Sequence, residues 1–412
     1  MLRQVTQEIR REQTFVAERK PCIPGYRANG IAVGIKDGVK KDCALIVSDV
    51  PAQVSAVFTT NSFKAAPVII DEQRVADGTA RVIIINSGNA NAATGAQGRE
   101  DACAITAAVA ARLGIDEDEV LIASTGVIGQ RLPVSRIIDG IDPLVAGLCE
   151  DGIADAEEAI MTTDRFPKIE VREVTVGAVP VTVCGIVKGA GMIEPNMATM
   201  LSFILTDACI EKSCMDRIFR KTVDVSFNAI SVDGCMSTND TVIMMANGVA
   251  GNEEINDDSP FLSVFEEVLC DVMMKLAKAI VRDGEGATKV IAIEVCDAAT
   301  EEEARSIAYA VARSNLIKTA FFGNDANWGR IIAAVGAAGY DIDPDRVSVI
   351  VDDTVLFRQG SGVPGSDEVL EASMKKDEIA VRILLMRGNN SFRMYASDLS
   401  LDYVTVNAHY RT

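Results

Sequence analysis

Histidine is almost missing from this chain. Of 412 residues only His409 is one, three positions from the end, so a Ser-His-Asp or Cys-His unit has no orienting pair to build on. His409 itself reads as a terminal surface residue. Any proton transfer here needs another base.

Other absences narrow the class further. The ten cysteines stand singly at 22, 43, 103, 149, 184, 209, 214, 235, 270 and 296, with no CxxC and no partnering histidines, which leaves no zinc or dithiol signature. They read mostly as reduced, buried small hydrophobes. No run approaches the roughly 20 apolar residues of a membrane span. The opening "MLRQVTQEIRREQTFVAERK" is charged throughout and lacks the apolar middle of a secretory signal, so the cytoplasm is the expected compartment. The formal charge is -19 with no Lys/Arg cluster to reverse it locally, which argues against nucleic acid and acidic membranes and for a small-molecule partner. No internal repeat or low-complexity linker is present.

What is present is enough chain for more than one subdomain, because single cores rarely grow past about 250–300 residues. Apolar runs ending in small polar loops predict strands at 81–95, 120–129 and 347–357. Helical periodicity lies between them. Ser259-Pro260 predicts an N-cap and first turn, followed by an apolar face of Leu262, Phe265, Leu269, Val272, Met273, Leu276 and Ile280. Thr300 and Glu303 have capping-box spacing ahead of Ile307 and Val311, and a third helix follows "NDANWGR". Mixed strands and helices predict an α/β (α+β layered) architecture with sheets packed against helices.

Five polar, glycine-containing segments carry the candidate chemistry: "NSGNANAATG", "STGVIG", "KGAGMIEPNMATML", "FNAISVDGCMSTNDT" and "DGEGATK". "GIVKGAG" has its lysine before the glycines, the reverse of a phosphate loop. "STGVIG" is either a strand-ending turn or, through the backbone N–H groups of Thr125 and Gly126, an oxyanion site. "DGEGATK" is either a helix end with Gly284 as left-handed cap or a ligand-binding carboxylate at Glu285. "DGCMSTNDT" reads as a cluster of side-chain-stabilised turns.

Thr199 is the sharpest case. It is either the first residue of a β-strand, "TMLSFILTD", where a β-branched side chain is welcome, or a new N-terminus made by cleavage after Ala198. In the second reading its α-amine, ordinarily titrating at about 7.7–8.0, takes the proton of its own hydroxyl, and no histidine is required.

Several of these segments together resemble one family, the ornithine acetyltransferases, also called glutamate N-acetyltransferases, of arginine biosynthesis. "KGAGMIEPNMATML" is similar to that family's self-cleavage segment. Further matches run from "PGYRANGIAVGIK" through "ASTGVIGQRLP", "MTTDRFPK", "STNDT" and "KTAFFGNDANWGRI" to "NAHYRT", so nearly the whole chain is covered. Cys235-Met236 depart from the family's more usual Asp-Thr, and the leader before about residue 20 is unmatched.

The resemblance implies a self-cleaving, N-terminal-nucleophile-type acetyltransferase fold, cut into an α chain (1–198) and a β chain (199–412) that assemble as a heterotetramer. It implies Thr199 as nucleophile, Ala198-Thr199 as cleavage site, Thr125 and Gly126 as oxyanion donors, and Thr162, Lys188, Thr199, Glu285, Asn407 and Thr412 as the substrate site. The implied reaction passes the acetyl group of N2-acetylornithine to glutamate through an acetyl-threonine intermediate, with no metal or organic cofactor and with acetyl-CoA an open second donor. A self-processing N-terminal-threonine amidase or aminopeptidase, giving the acyl group to water, is the competing reading.

Overall fold

A computed structural model describes residues 21–194, 200–366 and 370–409. Among them, two sheets and their helices form alternating layers, as the mixed pattern of the sequence predicts.

The first sheet has eight strands. From one edge they run Val120–Val127, Thr79–Asn89, Cys43–Phe58, Thr241–Ala246, Leu201–Thr206, Val179–Lys188 and Ile169–Val176, and Tyr26–Ile31 pairs with Cys43–Phe58. The period-2 alternation of strands sorts their side chains. Leu201, Phe203 and Leu205 join Ile46, Ile83, Ile186 and Ile243 in a core closed by the helix Ile153–Ile160. Ile204, Val183, Val187 and Met244 face the opposite core, with the helices Lys212–Val225 and Leu262–Arg282. All six residues of Leu201–Thr206 are buried.

The second sheet has seven strands, in the order Ser361–Gly362, Thr354–Arg358, Ser348–Val351, Glu378–Leu384, Val290–Ala298, Asn390–Ser397 and Ile230–Ser231. Its far face is covered by the helices Glu301–Ala312, Asn315–Phe322 and Trp328–Gly336. Leu262–Arg282 packs between the sheets.

Local expectations hold in type and shift in detail. Thr300 accepts the Glu303 N–H at 3.1 Å and caps its helix as predicted, and Asn327 does the same for Arg330 at 3.1 Å. The helix predicted from Ser259-Pro260 starts later, at Leu262. Ser259 accepts the N–H groups of Phe261 and Leu262, so the Ser-Pro pair forms the turn leading in. Gly284 is not the left-handed cap: that helix ends at Asp283 in right-handed conformation, and Gly286, at φ 69°, is the left-handed residue. The apolar run at 347–357 is a hairpin, because Asp352 adopts φ 48° and turns Ser348–Val351 back onto Thr354–Arg358. The cysteines are all free, but only Cys43, Cys184 and Cys214 are buried, and Cys22, Cys103, Cys149 and Cys235 are exposed. No described helix is long and apolar enough to cross a membrane.

Candidate active site

Strand register brings distant segments together. Lys188 pairs with Leu201, Leu201 with Thr241, and Thr241 with Phe58 across four neighbouring strands. Lys188 therefore stands beside the start of the strand that follows Met200. Asn239, just ahead of Thr241, donates to the carbonyls of Ala90 (2.5 Å) and Ser124 (2.8 Å). Those bonds join the row to the C-terminal ends of Thr79–Asn89 and Val120–Val127.

A cavity of about 140 Å³ opens where these ends meet. Its walls include Thr125, Gly126, Thr162, Lys188, Glu285 and Asn407, which are all the predicted site residues that lie among the described ones. Ala198, Thr199 and Thr412 lie outside the described residues. Asp233, Cys235, Asn239 and Tyr403 also line it.

Gly126 is fixed by space. Its φ is 131°, and a Cβ there would lie 2.3 Å from the carbonyl carbon of Gly88, where the ladder slips and Asn89 pairs with both Thr125 and Val127. Only glycine fits so close to a neighbouring backbone.

Lys188 is 6% exposed, and its ammonium donates to the Thr125 hydroxyl at 3.3 Å. Burial lowers its pKa, against the pull of Asp164. Asp164 in turn answers burial, which would raise its carboxyl, with the charges of Lys188 and Lys168, which hold it well below the usual range. Its two oxygens accept from Thr162 N (2.8 Å), Gly189 N (2.7 Å) and Lys168 Nζ (2.7 Å). Lys168 also reaches Asp283 at 2.5 Å, beside the Arg165 Nε bond to the same carboxylate at 3.0 Å. One buried network thus ties the Thr162 loop, the Lys188-Gly189 strand end and the turn carrying Glu285.

Glu285 donates its N–H to Ala190 O at 2.9 Å, and its carboxylate accepts from Asn407 Nδ2 at 2.8 Å. That carboxylate sits against Gly191, where a Cβ would come within 2.4 Å of it. Asn407 belongs to the helix Leu401–His409. Asp233 fixes the next step of the chain by accepting from Met192 N (2.6 Å) and Ile193 N (2.8 Å). Its carboxyl is raised, mainly by burial.

Asp164, Lys168 and Asp233 were not among the predicted site residues. For the first two the signal was a charge two to six positions from a candidate, Asp164 and Lys168 after Thr162 in "MTTDRFPK"; Asp233 has no predicted site residue near it in sequence. Of the departing pair, Cys235 lines the cavity with its N–H on Asp233 at 3.1 Å. Met236 contacts Thr60 instead.

Chemically, the cavity offers a buried cation, a hydroxyl beside it, a strand irregularity at a glycine, and a carboxylate-amide pair among its lining residues. No group of described His, Cys, Asp and Glu residues is arranged to hold a metal.

The ArgJ family model matches residues 27–412. The arginine biosynthesis bifunctional protein ArgJ of Geobacter sulfurreducens is 51% identical over 391 residues, 95% of this chain and all of its own. The protein of the same name from Bacillus subtilis is 42% identical over 389 residues, 94% of this chain and 95% of its own. A crystal structure of the Bacillus halodurans protein of that name, 39% identical, is matched in full by 52% of this chain at a TM-score of 0.50. With the family model matching residues 27–412, and relatives this similar along nearly their whole length, the chain belongs to the ArgJ family.

Proposed function

We propose that this protein transfers the acetyl group of N2-acetylornithine to glutamate, giving ornithine and N-acetylglutamate, through an acetyl ester on Thr199. The observation that carries the proposal is one cavity uniting Thr125, Gly126, Thr162, Lys188, Glu285 and Asn407, placed beside the strand that Thr199 leads into.

Self-cleavage of the Ala198-Thr199 bond prepares the nucleophile. The matched Bacillus halodurans chain, spanned by about half of this one, supports a protein of two chains, 1–198 and 199–412. In the mature enzyme Thr199 Oγ attacks the acetyl carbonyl, and its own α-amine takes the hydroxyl proton. Thr125 and Gly126 stabilise the oxyanion, a contribution of about 3–4 kcal/mol per donor. Lys188 holds Thr125 in place and supplies positive charge to that corner. Collapse breaks the amide bond and returns the proton to the departing ornithine nitrogen. Glutamate's amine then attacks the ester and restores the hydroxyl.

Glu285 meets the donor's side-chain ammonium, while Thr162, Asn407 and Thr412 complete the pocket. The relatives' name, bifunctional, supports acetyl-CoA as a second acetyl donor at the same threonine. Free thiols at all ten cysteines fit a reducing cytoplasm, and two copies of each chain form the assembly.

The test is acetyl transfer by purified protein, with each donor, with and without glutamate. Ornithine release that depends on glutamate is expected; equal release into water alone makes the protein an amidase. Thr199→Ala should give one uncleaved chain with no transfer, and an active uncleaved variant overturns the mechanism.

A further inference from the structure

Lys36 is not among the residues lining the cavity, and nothing in the mechanism above uses it. Its backbone is anchored by the buried Asp42, whose carboxylate accepts the N–H groups of Val33 (2.6 Å), Ile35 (2.5 Å) and Lys36 (2.9 Å). From there its stem crosses Gly88, where an added Cβ would lie 3.1 Å from Lys36 Cγ. Gly88 is also the backbone that a Cβ on Gly126 would strike. At its far end the half-buried side chain donates from Nζ to Met161 O at 2.6 Å and Lys41 O at 2.9 Å, and it reaches Ala159 O at 3.5 Å.

Those carbonyls belong to the end of the helix Ile153–Ile160 and the step into Thr162. The helix passes directly into extended backbone at Met161, with φ -56° and ψ 148°, so no left-handed glycine closes it and its last carbonyls need donors from elsewhere. Ser87 Oγ donates to Ala159 O, and Lys36 brings a positive charge to the negative end of the helix dipole. Asp164 fixes the other side of the same turn by accepting Thr162 N at 2.8 Å. Thr162 is thus held between two charged side chains, Lys36 on the carbonyl before it and Asp164 on its own N–H.

We propose that Lys36 is a positioning residue for the substrate pocket: its ammonium sets the Met161-Thr162 step, and its stem backs the Gly88-Gly126 contact of the oxyanion corner. The role rests on the acetyl-transfer reading. An ammonium suits it, because three donors on one atom can meet several carbonyls at once. Burial lowers the Lys36 pKa to about 8, opposed by Asp42 and Asp164 and assisted by Lys188 and Lys40, so the group is charged at neutral pH. Lys36 meets no reacting atom and acts through its two neighbours alone.

The experiment measures kcat and KM for acetylornithine, with glutamate as acceptor, in full-length wild type, Lys36→Met and Lys36→Ala, and scores melting temperature and chain cleavage on the same samples. Methionine keeps the stem and removes the charge. Lys36→Met should raise KM about tenfold and leave kcat within about threefold of wild type, since only the Thr162 step is loosened. Lys36→Ala removes the stem as well and should also lower kcat by about tenfold or more. A lysine with a structural role alone would lower both melting temperatures and leave the KM of folded protein unchanged. An unchanged KM in Lys36→Met, beside wild type that transfers acetyl, overturns the role of Lys36 and leaves the transfer reading standing. Equal kcat in the two variants overturns the part given to the stem. Wild type that moves no acetyl from acetylornithine to glutamate overturns both readings. Should Lys36→Met fail to fold or cut, wild type is labelled with an amine-reactive succinimidyl ester, with and without saturating N-acetylglutamate, which has no free amine to compete. Slower labelling of Lys36 with N-acetylglutamate bound, read by peptide mass spectrometry, supports its coupling to the pocket, and equal rates overturn it.

Discussion

At the residue scale, two glycines of the site differ in what a methyl group would meet. At Gly126 the added Cβ lies 2.3 Å from backbone carbon and 2.5 Å from backbone nitrogen, and neither atom can move without opening the Thr79–Asn89 and Val120–Val127 ladder. At Gly191 it lies 2.4 Å from the carboxylate of Glu285, the far end of a flexible side chain. Gly191→Ala should therefore fold with a near-native melting temperature and lose substrate binding, because Glu285 is driven off Asn407. KM for acetylornithine should rise about tenfold or more, about 1.4 kcal/mol, with kcat changed less. Gly126→Ala should instead lower the melting temperature by several degrees. Equal effects of the two on stability would contradict the distinction.

At the scale of elements, the helix Ile153–Ile160 carries a pH-sensitive group into the core. Glu157 is fully buried on it, and its Oε1 accepts Lys168 N at 2.7 Å while Oε2 has no partner among the described residues. Burial raises its pKa to about 8, with the Lys168 N–H and charge opposing. In the unfolded chain the same group titrates near 4.3. Between those values the folded protein binds more protons than the unfolded one, so stability falls as pH rises from about 4 to 8 and then levels. Glu157→Gln removes this dependence. Its melting temperature should be close to wild type near pH 4 and should exceed it by a margin that grows up to about pH 8 and then holds, as scanning calorimetry would show; a constant difference from about pH 4 to 8 would place the charge elsewhere.

How much of this was legible in the sequence depends on whether the deciding physics is local. The caps at Thr300 and Asn327 were readable or nearly so, because a cap is made within four residues. The buried strand Leu201–Thr206 was visible as a continuous apolar run. The hairpin at 347–357 was hidden, since a mainly apolar run is interrupted only by Asp352-Asp353 and short hydroxyl residues, and only the pairing reveals the turn there. In the site, resemblance located Thr125, Lys188 and Glu285. Spacing alone could not, since 63 positions separate the bonded pair Lys188 and Thr125. The supporting charges Asp164, Lys168 and Asp233 were ordinary turn or loop residues until burial showed that each is spent on a backbone or a partner.

At the scale of the whole molecule, the consequence of cleavage follows from where the cut falls in the first sheet. The proposed cut between Ala198 and Thr199 precedes the ladder pair of Lys188 with Leu201, so it removes no pairing among the described residues. Under that proposal Leu201–Thr206 remains inserted between Val179–Lys188 of the proposed α chain and Thr241–Ala246 of its own chain. Cys43–Phe58 of the α chain closes on Thr241–Ala246 from the other side. The sheet thus interleaves strands of both chains, and each contributes to the same cores. Cleaved protein should migrate as one species in native size exclusion, at 43.9 kDa or a multiple, with a twofold multiple expected for the heterotetramer. It should part into two chains near half of 43.9 kDa only in denaturant. Because unfolding then releases separate chains, the denaturation midpoint should climb with protein concentration more steeply for the cleaved enzyme than for uncleaved Thr199→Ala. Equal slopes, or a free 1–198 fragment under native conditions, would show that the interleaved sheet does not hold the two chains together.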